Sequence, residues 1–188
     1  MALTSTRLTA EEYFALPPTE QRTQLIDGEI VVTGASLRHQ RVTLELARRL
    51  TNWLHENPGH GEAGIPVNVH LDDHNVFAPD VWWVPEAERP GRDAKRIEGP
   101  PALAVEVRSP STWRYDVGTK RASYERLGLR ELWLVDTGAN SVLVYRRSAP
   151  EADRFDIAIE LEAGEVLTTP LIPGFSLVLA DLFALSAV

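Results

Sequence analysis

Apolar positions along the chain change period several times, and each change marks an element. Thr9-Ala-Glu-Glu12 has capping-box spacing, which predicts a short helix running to about Leu16, where Pro17-Pro18 stops it. Gln24-Leu-Ile and Glu29-Ile-Val-Val32 flank Asp27-Gly28, a dipeptide that tolerates the positive φ of a two-residue turn, so a β-hairpin is expected there. After Ser36 as N-cap, Val42, Leu46, Leu50, Trp53 and Leu54 recur at helical spacing up to Asn57-Pro58-Gly59, predicting the longest helix.

The middle of the chain alternates instead: Ile65, Val67, Val69 and Leu71 share one face, and Asp72-Asp-His-Asn75 turns the chain back. Val76 to Val84 then reads as the returning strand, with Pro79 removing one ladder bond and suggesting an edge or a bend. Pro85 to Pro101 reads as a long polar loop, mobile or functional. Ala102-Leu-Ala-Val-Glu-Val107 is a strand, and a helix is expected over Tyr115–Leu127, closed by Gly128. Glu131–Asp136, Ser141–Tyr145, Phe155–Ile159 and Phe175–Leu179 complete the predicted strands, and a short helix from Asp181 ends the chain. This order predicts an α/β sandwich with a mixed sheet, flanked by the long helix and the Tyr115–Leu127 helix.

At 188 residues the chain is the size of a single domain, read here as residues 1–188. With 44% hydrophobic residues and no apolar run near the eighteen or so needed to span a bilayer, a soluble protein without membrane segments is expected. Met1 to Thr6 lack the apolar centre of a signal peptide, so a cytoplasmic location fits best. The absence of cysteine excludes disulfides and thiolate metal sites. Net charge is −8, yet Arg89 to Arg130 holds ten basic and five acidic residues. That region is either a face that binds DNA or a solvated charged surface.

Three charged residues sit where a purely structural pattern would not put them. Glu106 interrupts a run that otherwise looks buried, and a buried carboxylate is unfavourable unless it is paired or bound to metal. On its strand Leu103, Val105 and Val107 share one face, while Ala104, Glu106 and Arg108 share the other. Asp80 lies in the strand expected beside it, so two carboxylates could converge on a hard cation such as Mg²⁺. Pro-Asp is also an ordinary turn dipeptide. Lys120 falls on a helical stripe with Val117, Tyr124 and Leu127, and seventeen of the nineteen basic residues are arginine, so a lysine facing inward suggests a need for a compact charge. Its competing role is an i,i+4 salt bridge with Asp116.

Phe77-Ala-Pro-Asp-Val81, Pro101 to Thr112, Tyr115-Asp116, Lys120 and Glu131-Leu-Trp-Leu-Val-Asp136 resemble the large bacterial family of restriction-endonuclease-like proteins of the P-D…(D/E)-x-K superfamily. The likeness extends to Leu25-Ile-Asp-Gly-Glu29, His39 and Ile172-Pro-Gly-Phe-Ser176, and so spans nearly the whole chain. It implies a restriction-endonuclease-like fold, with a mixed central β-sheet flanked by α-helices and an N-terminal β-hairpin. It also implies that the signature lysine has moved to the following helix, where Lys120 stands, while Arg108 occupies the unmigrated position. Relatives commonly carry glutamate where this chain has Gln24, which could offer a carbonyl oxygen but no charge.

The resulting expectation is an endonuclease hydrolysing DNA by a metal-activated water. Asp80 and Glu106 would hold Mg²⁺, with Mn²⁺ as substitute, the Val107 carbonyl being a further ligand that the resemblance implies. Lys120 would orient the water and offset transition-state charge. Arg108 is expected to pair with phosphate or carboxylate, and His39 to bind phosphate or cap its helix. Asp116 and Tyr124 are further candidates beside Lys120. His55, His60, His70 and His74 show no metal-ligand spacing. Trp82 and Trp83 must face opposite sides, one entering the core and the other meeting a helix or a second subunit. A homodimer suits the cutting of two strands. Two alternatives are a nuclease-like fold that binds nucleic acid or a protein partner without cutting, and an acid/base hydrolase of small substrates.

Overall fold

The computed structural model describes residues 7–184 and opens as the patterning predicts; Met1 to Thr6, read above for a signal peptide, lie outside it. Thr9 caps helix α1 (Ala10–Ala15) in a reciprocal capping box with Glu12. Strands β1 (Thr23–Ile26) and β2 (Glu29–Val32) pair antiparallel across Asp27 and Gly28, whose φ values of 52° and 78° are those a two-residue hairpin turn requires. Helix α2 (Leu37–Glu56) begins at Ser36, whose side chain accepts from the His39 N–H, and it buries Val42, Leu46 and Leu50.

The central stretch departs from the prediction in two places. Strands β3 (Glu62–Gly64) and β4 (Asn68–Asp72) replace one alternating strand, with Val69 and Leu71 buried but Ile65 exposed between them. The predicted strand Val76–Val84 is two, β5 (Asn75–Phe77) and β6 (Val81–Val84), which belong to different sheets. Pro79 supplies the reason, since a residue without an N–H suits the point where the chain leaves one ladder for another. Within residues 85–101 a 3-10 turn (Glu86–Glu88) and strand β7 (Arg96–Glu98) break up what reads as loop. Ile97 is the one buried residue of β7, too little for a periodic signal.

Strand β8 (Leu103–Val107) is buried throughout. The continuous helix predicted for Tyr115–Leu127 is instead α3 (Trp113–Tyr115), a π-helical turn (Asp116–Lys120) and α4 (Arg121–Arg126). The wider turn changes part of the inward face: Lys120 is buried as predicted and Asp116 with it, while Val117, predicted on the same stripe, is 38% exposed. Strands β9 (Glu131–Asp136), β10 (Ser141–Arg146) and β11 (Ile157–Glu162) follow, the last starting two residues beyond the predicted position. Strand β12 (Val166–Thr168), not predicted, pairs with β13 (Ser176–Val178), and α5 (Leu179–Ala184) is the last described element.

The central sheet runs β11-β10-β9-β8-β6-β3 and is mixed, because β8 and β9 are parallel while their other neighbours are antiparallel. The N-terminal hairpin is not part of it, but continues into a second sheet, β2-β1-β5-β4-β7. Leu103, Val105 and Val107 pack with Val42, Leu46 and Leu50 of α2 on one face of the central sheet. Ala104 packs with Tyr124, Leu132 and Leu134 on the other. Trp83 enters the first of these cores and Trp82 the second, so neither is left for a second subunit. No helix among the described residues is long and apolar enough to cross a membrane.

Away from the site, Glu131 is fully buried and accepts from Trp133 Nε1, Arg146 and Thr169 Oγ1. Replacing it strands three donors, one of them charged. Glu131→Leu is expected to lower unfolding free energy by about 3 kcal/mol in urea titrations, and a loss below about 1 kcal/mol would show that the cluster relaxes around the change.

Candidate functional site

Strand pairing brings the two acidic residues together. Antiparallel β6 and β8 match Val81 with Val105 and Trp82 with Ala104, and one further step of that register sets Asp80 opposite Glu106. Directly opposed residues share a face of the sheet. The Asp80 N–H still donates to the Val105 carbonyl at 2.9 Å, so the ladder reaches Asp80 before Pro79 turns the chain away. Asp80 Oδ2 accepts from the Val107 N–H at 2.7 Å and lies 3.1 Å from His39 Nε2, at the head of α2. Asp80 thus ties the neighbouring strand β8 to the long helix.

Lys120 is fully buried, with its Nζ 2.6 Å from Glu106 Oε1 and 3.0 Å from Asp116 Oδ1. Tyr124 donates its hydroxyl to the same Glu106 oxygen at 2.9 Å. Asp116 is held in turn by Thr112 Oγ1, and Thr112 by Ser109. Burial, with Asp116 and Asp80 adding negative charge, pushes the Glu106 carboxyl up to about 8 against the pull of Lys120. Burial alone would lower the Lys120 amine, but Asp116 and Glu106 outweigh it and hold the ammonium above the ordinary lysine range. Burial and the neighbouring Glu106 also raise the Tyr124 hydroxyl. Asp80, Glu106 and Asp116 are all buried around a single ammonium, so the cluster holds more negative than positive charge.

A cavity of about 330 Å³ opens beside this cluster, lined by Asp80, Glu106, Gln24, His39, Arg22 and Thr112 among others. The structure therefore brings Asp80, Glu106, Gln24 and His39 to one cavity, with Lys120, Asp116 and Tyr124 behind Glu106. Lys120 does not line it, which differs from the expectation that its amine faces the substrate: two carboxylates draw the ammonium inward. One of the two acceptor positions of the Gln24 carbonyl oxygen is already taken, because Oε1 accepts from the Ala78 N–H at 2.9 Å. Arg108 is turned aside to Asp136 at 2.8 Å, in keeping with a carboxylate partner. Val107 contributes its N–H to Asp80. Of the other histidines, His70 pairs with Glu98, and His60 and His74 bond to the backbone carbonyls of Asn57 and Leu8.

Sequence reasoning missed Arg22, Thr112 and Ser109. Thr112, Asp116 and Lys120 follow one another at intervals of four, a spacing that could have linked them, but Ser109-Pro110-Ser-Thr112 reads first as a strand terminator. Arg22 precedes the hairpin and carries no local signal.

The donor set suits a hard divalent cation. Asp80 Oδ1 and Glu106 Oε2 lie outside the contacts just described, both residues line the cavity, and surplus negative charge surrounds them. Among the described residues no group of three His, Cys, Asp or Glu is arranged to hold a metal, so two carboxylates are the protein's acidic contribution. A site of this kind takes its remaining oxygens from water, backbone or substrate.

The Uma2 family model, described as "Putative restriction endonuclease", matches residues 10–180. A crystal structure described as a putative nuclease belonging to DUF820, from Anabaena variabilis, superposes with a TM-score of 0.79 at 20% identity, covering 95% of this chain and 99% of that one. At that identity the likeness concerns the fold. A search of curated proteins found no match.

Removing the Lys120 charge leaves Glu106 and Asp116 buried without their cation. Lys120→Met is expected to destabilise the protein by about 3–5 kcal/mol in urea unfolding, and adding Asp116→Asn should recover part of that loss. Purely additive effects of the two changes would show that the two residues do not act as a pair.

Proposed function

The chain belongs to the Uma2 family, and from that membership we propose that it is a divalent-metal-dependent endonuclease that hydrolyses DNA phosphodiester bonds. The observation that carries the reading is the register that sets Asp80 beside Glu106 on one face, at a cavity, with an ammonium fixed behind them. Asp80 and Glu106 would hold Mg²⁺, or Mn²⁺ in its place, which supplies an acidified water and neutralises charge on the scissile phosphate. The Val107 carbonyl is the backbone group assigned as a further ligand.

The remaining residues prepare the two carboxylates. Lys120 and Tyr124 both engage Glu106 Oε1, leaving Oε2 outside both contacts, so we assign them as positioning residues. Asp116 fixes Lys120. His39 and the Val107 N–H hold Asp80 Oδ2 and leave Oδ1 for a ligand. Held this way, the pair loses little side-chain freedom when a cation binds. Two copies acting on opposite strands would complete a double-strand cut. A second reading, nucleic-acid binding without cleavage, is favoured by the small acidic donor set.

Incubation of supercoiled plasmid with Mg²⁺ separates the two. Wild type is expected to nick and then linearise it, EDTA to stop the reaction, and Asp80→Asn or Glu106→Gln to slow it by roughly 10³-fold, about 4 kcal/mol of barrier. Binding without any cut in Mg²⁺ or Mn²⁺ would favour the second reading, and cutting that survives both substitutions would place the chemistry elsewhere.

A further inference from the structure

Gln24 sits on β1 at the wall of the cavity and is buried, so the orientation of its amide decides what it offers a ligand. The backbone N–H of Ala78 can only donate, and it lies 2.9 Å from one terminal atom of Gln24. That atom must therefore be the oxygen, one of whose two acceptor positions is thereby used, and the amide N–H₂ is left to donate into the cavity. Its two hydrogens have no acceptor among the described residues. A metal cation cannot be held by an N–H₂ group, whereas an anionic oxygen can. Arg22 lines the same cavity, and no carboxylate pairs with its guanidinium among the described residues. Both groups are donors, and both lie across the cavity from no acid other than Asp80 and Glu106 among its lining residues.

We propose that Gln24 and Arg22 form a donor subsite for a phosphodiester oxygen of nucleic acid, beside the carboxylate pair, so that this wall of the cavity receives substrate rather than metal. The inference rests on the nuclease reading for the neighbouring carboxylates, but the subsite's own claim concerns binding. It divides the cavity by charge. Asp80 and Glu106 form an acidic half for one cation, while Gln24 and Arg22 form a half that attracts the phosphate. A guanidinium and an amide can take two oxygens of one phosphate or neighbouring oxygens of the backbone, which orients the scissile bond toward the acidic half.

Gln24→Glu tests this with almost no change of shape. One carboxylate oxygen can still accept from the Ala78 N–H, so the hairpin keeps its bond to the segment that follows β5, and a thermal melt verifies the fold. The other oxygen then brings a third negative charge to the cavity. Two affinities are measured: Mn²⁺ by calorimetry, and a fluorescently labelled DNA duplex by anisotropy in EDTA. Gln24→Glu is expected to tighten Mn²⁺ binding by about tenfold and to weaken metal-free DNA binding by about tenfold, opposite signs from one substitution. Arg22→Gln, at an exposed position, is expected to weaken DNA binding several-fold and leave Mn²⁺ affinity within a factor of about two. Weaker Mn²⁺ binding by Gln24→Glu, or DNA affinity that ignores both substitutions, would overturn the subsite while leaving Mn²⁺ binding by Asp80 and Glu106 intact. A wild-type protein that binds neither Mn²⁺ nor DNA would overturn both the subsite and the nuclease reading.

Discussion

Lys120 is buried completely, so its charge is sustained by Glu106 and Asp116, and the placement of those carboxylates depends in turn on Lys120. A buried ion is tolerated when such partners surround it, and removing any one member leaves the others uncompensated. The same contacts decide which atoms remain for chemistry. Because Lys120 and the Tyr124 hydroxyl converge on one oxygen of Glu106, the other oxygen lies outside both contacts on a residue that lines the cavity shared with Asp80. Structure and proposed function are coupled here through a single carboxylate.

Two local irregularities make that arrangement possible. Pro79 lets the chain pass from the hairpin sheet to the central sheet, delivering Asp80 to the start of β6 in register with Glu106. The π-helical turn at Asp116–Lys120 buries Asp116 beside Lys120, which the helical stripe already placed inward, and leaves Val117 at the surface. A regular α-helix there would have kept the stripe that ordinary periodicity predicts. The π turn fits the tendency of such turns to occur at functional sites.

Much of this was legible in the chain itself, and the rest was not for identifiable reasons. Asp27-Gly28, the Thr9 capping box and the α2 stripe are local signals, and each forms as read. The face shared by Ala104 and Glu106 followed from simple alternation. Pro79 announced a bend, but not that the two halves of its strand would join different sheets, because strand partnership is non-local. Strands β7 and β12 bury one residue each, too few to show a period. Lys120 was singled out from composition and stripe position, yet its turn away from the cavity depends on how many carboxylates surround it. The family match over residues 10–180 agrees with the resemblance carried by the motifs.

The proposed division of the cavity, cation on one side and phosphate on the other, stands on the opposed carboxylates at its acidic end. Locating Mn²⁺ by anomalous scattering in crystals of the wild-type protein would test it most directly. The account predicts one ion within about 2.5 Å of carboxylate oxygens from both Asp80 and Glu106, with Gln24 outside its coordination shell. An ion that bridges Gln24, or one bound to neither acid, would contradict it.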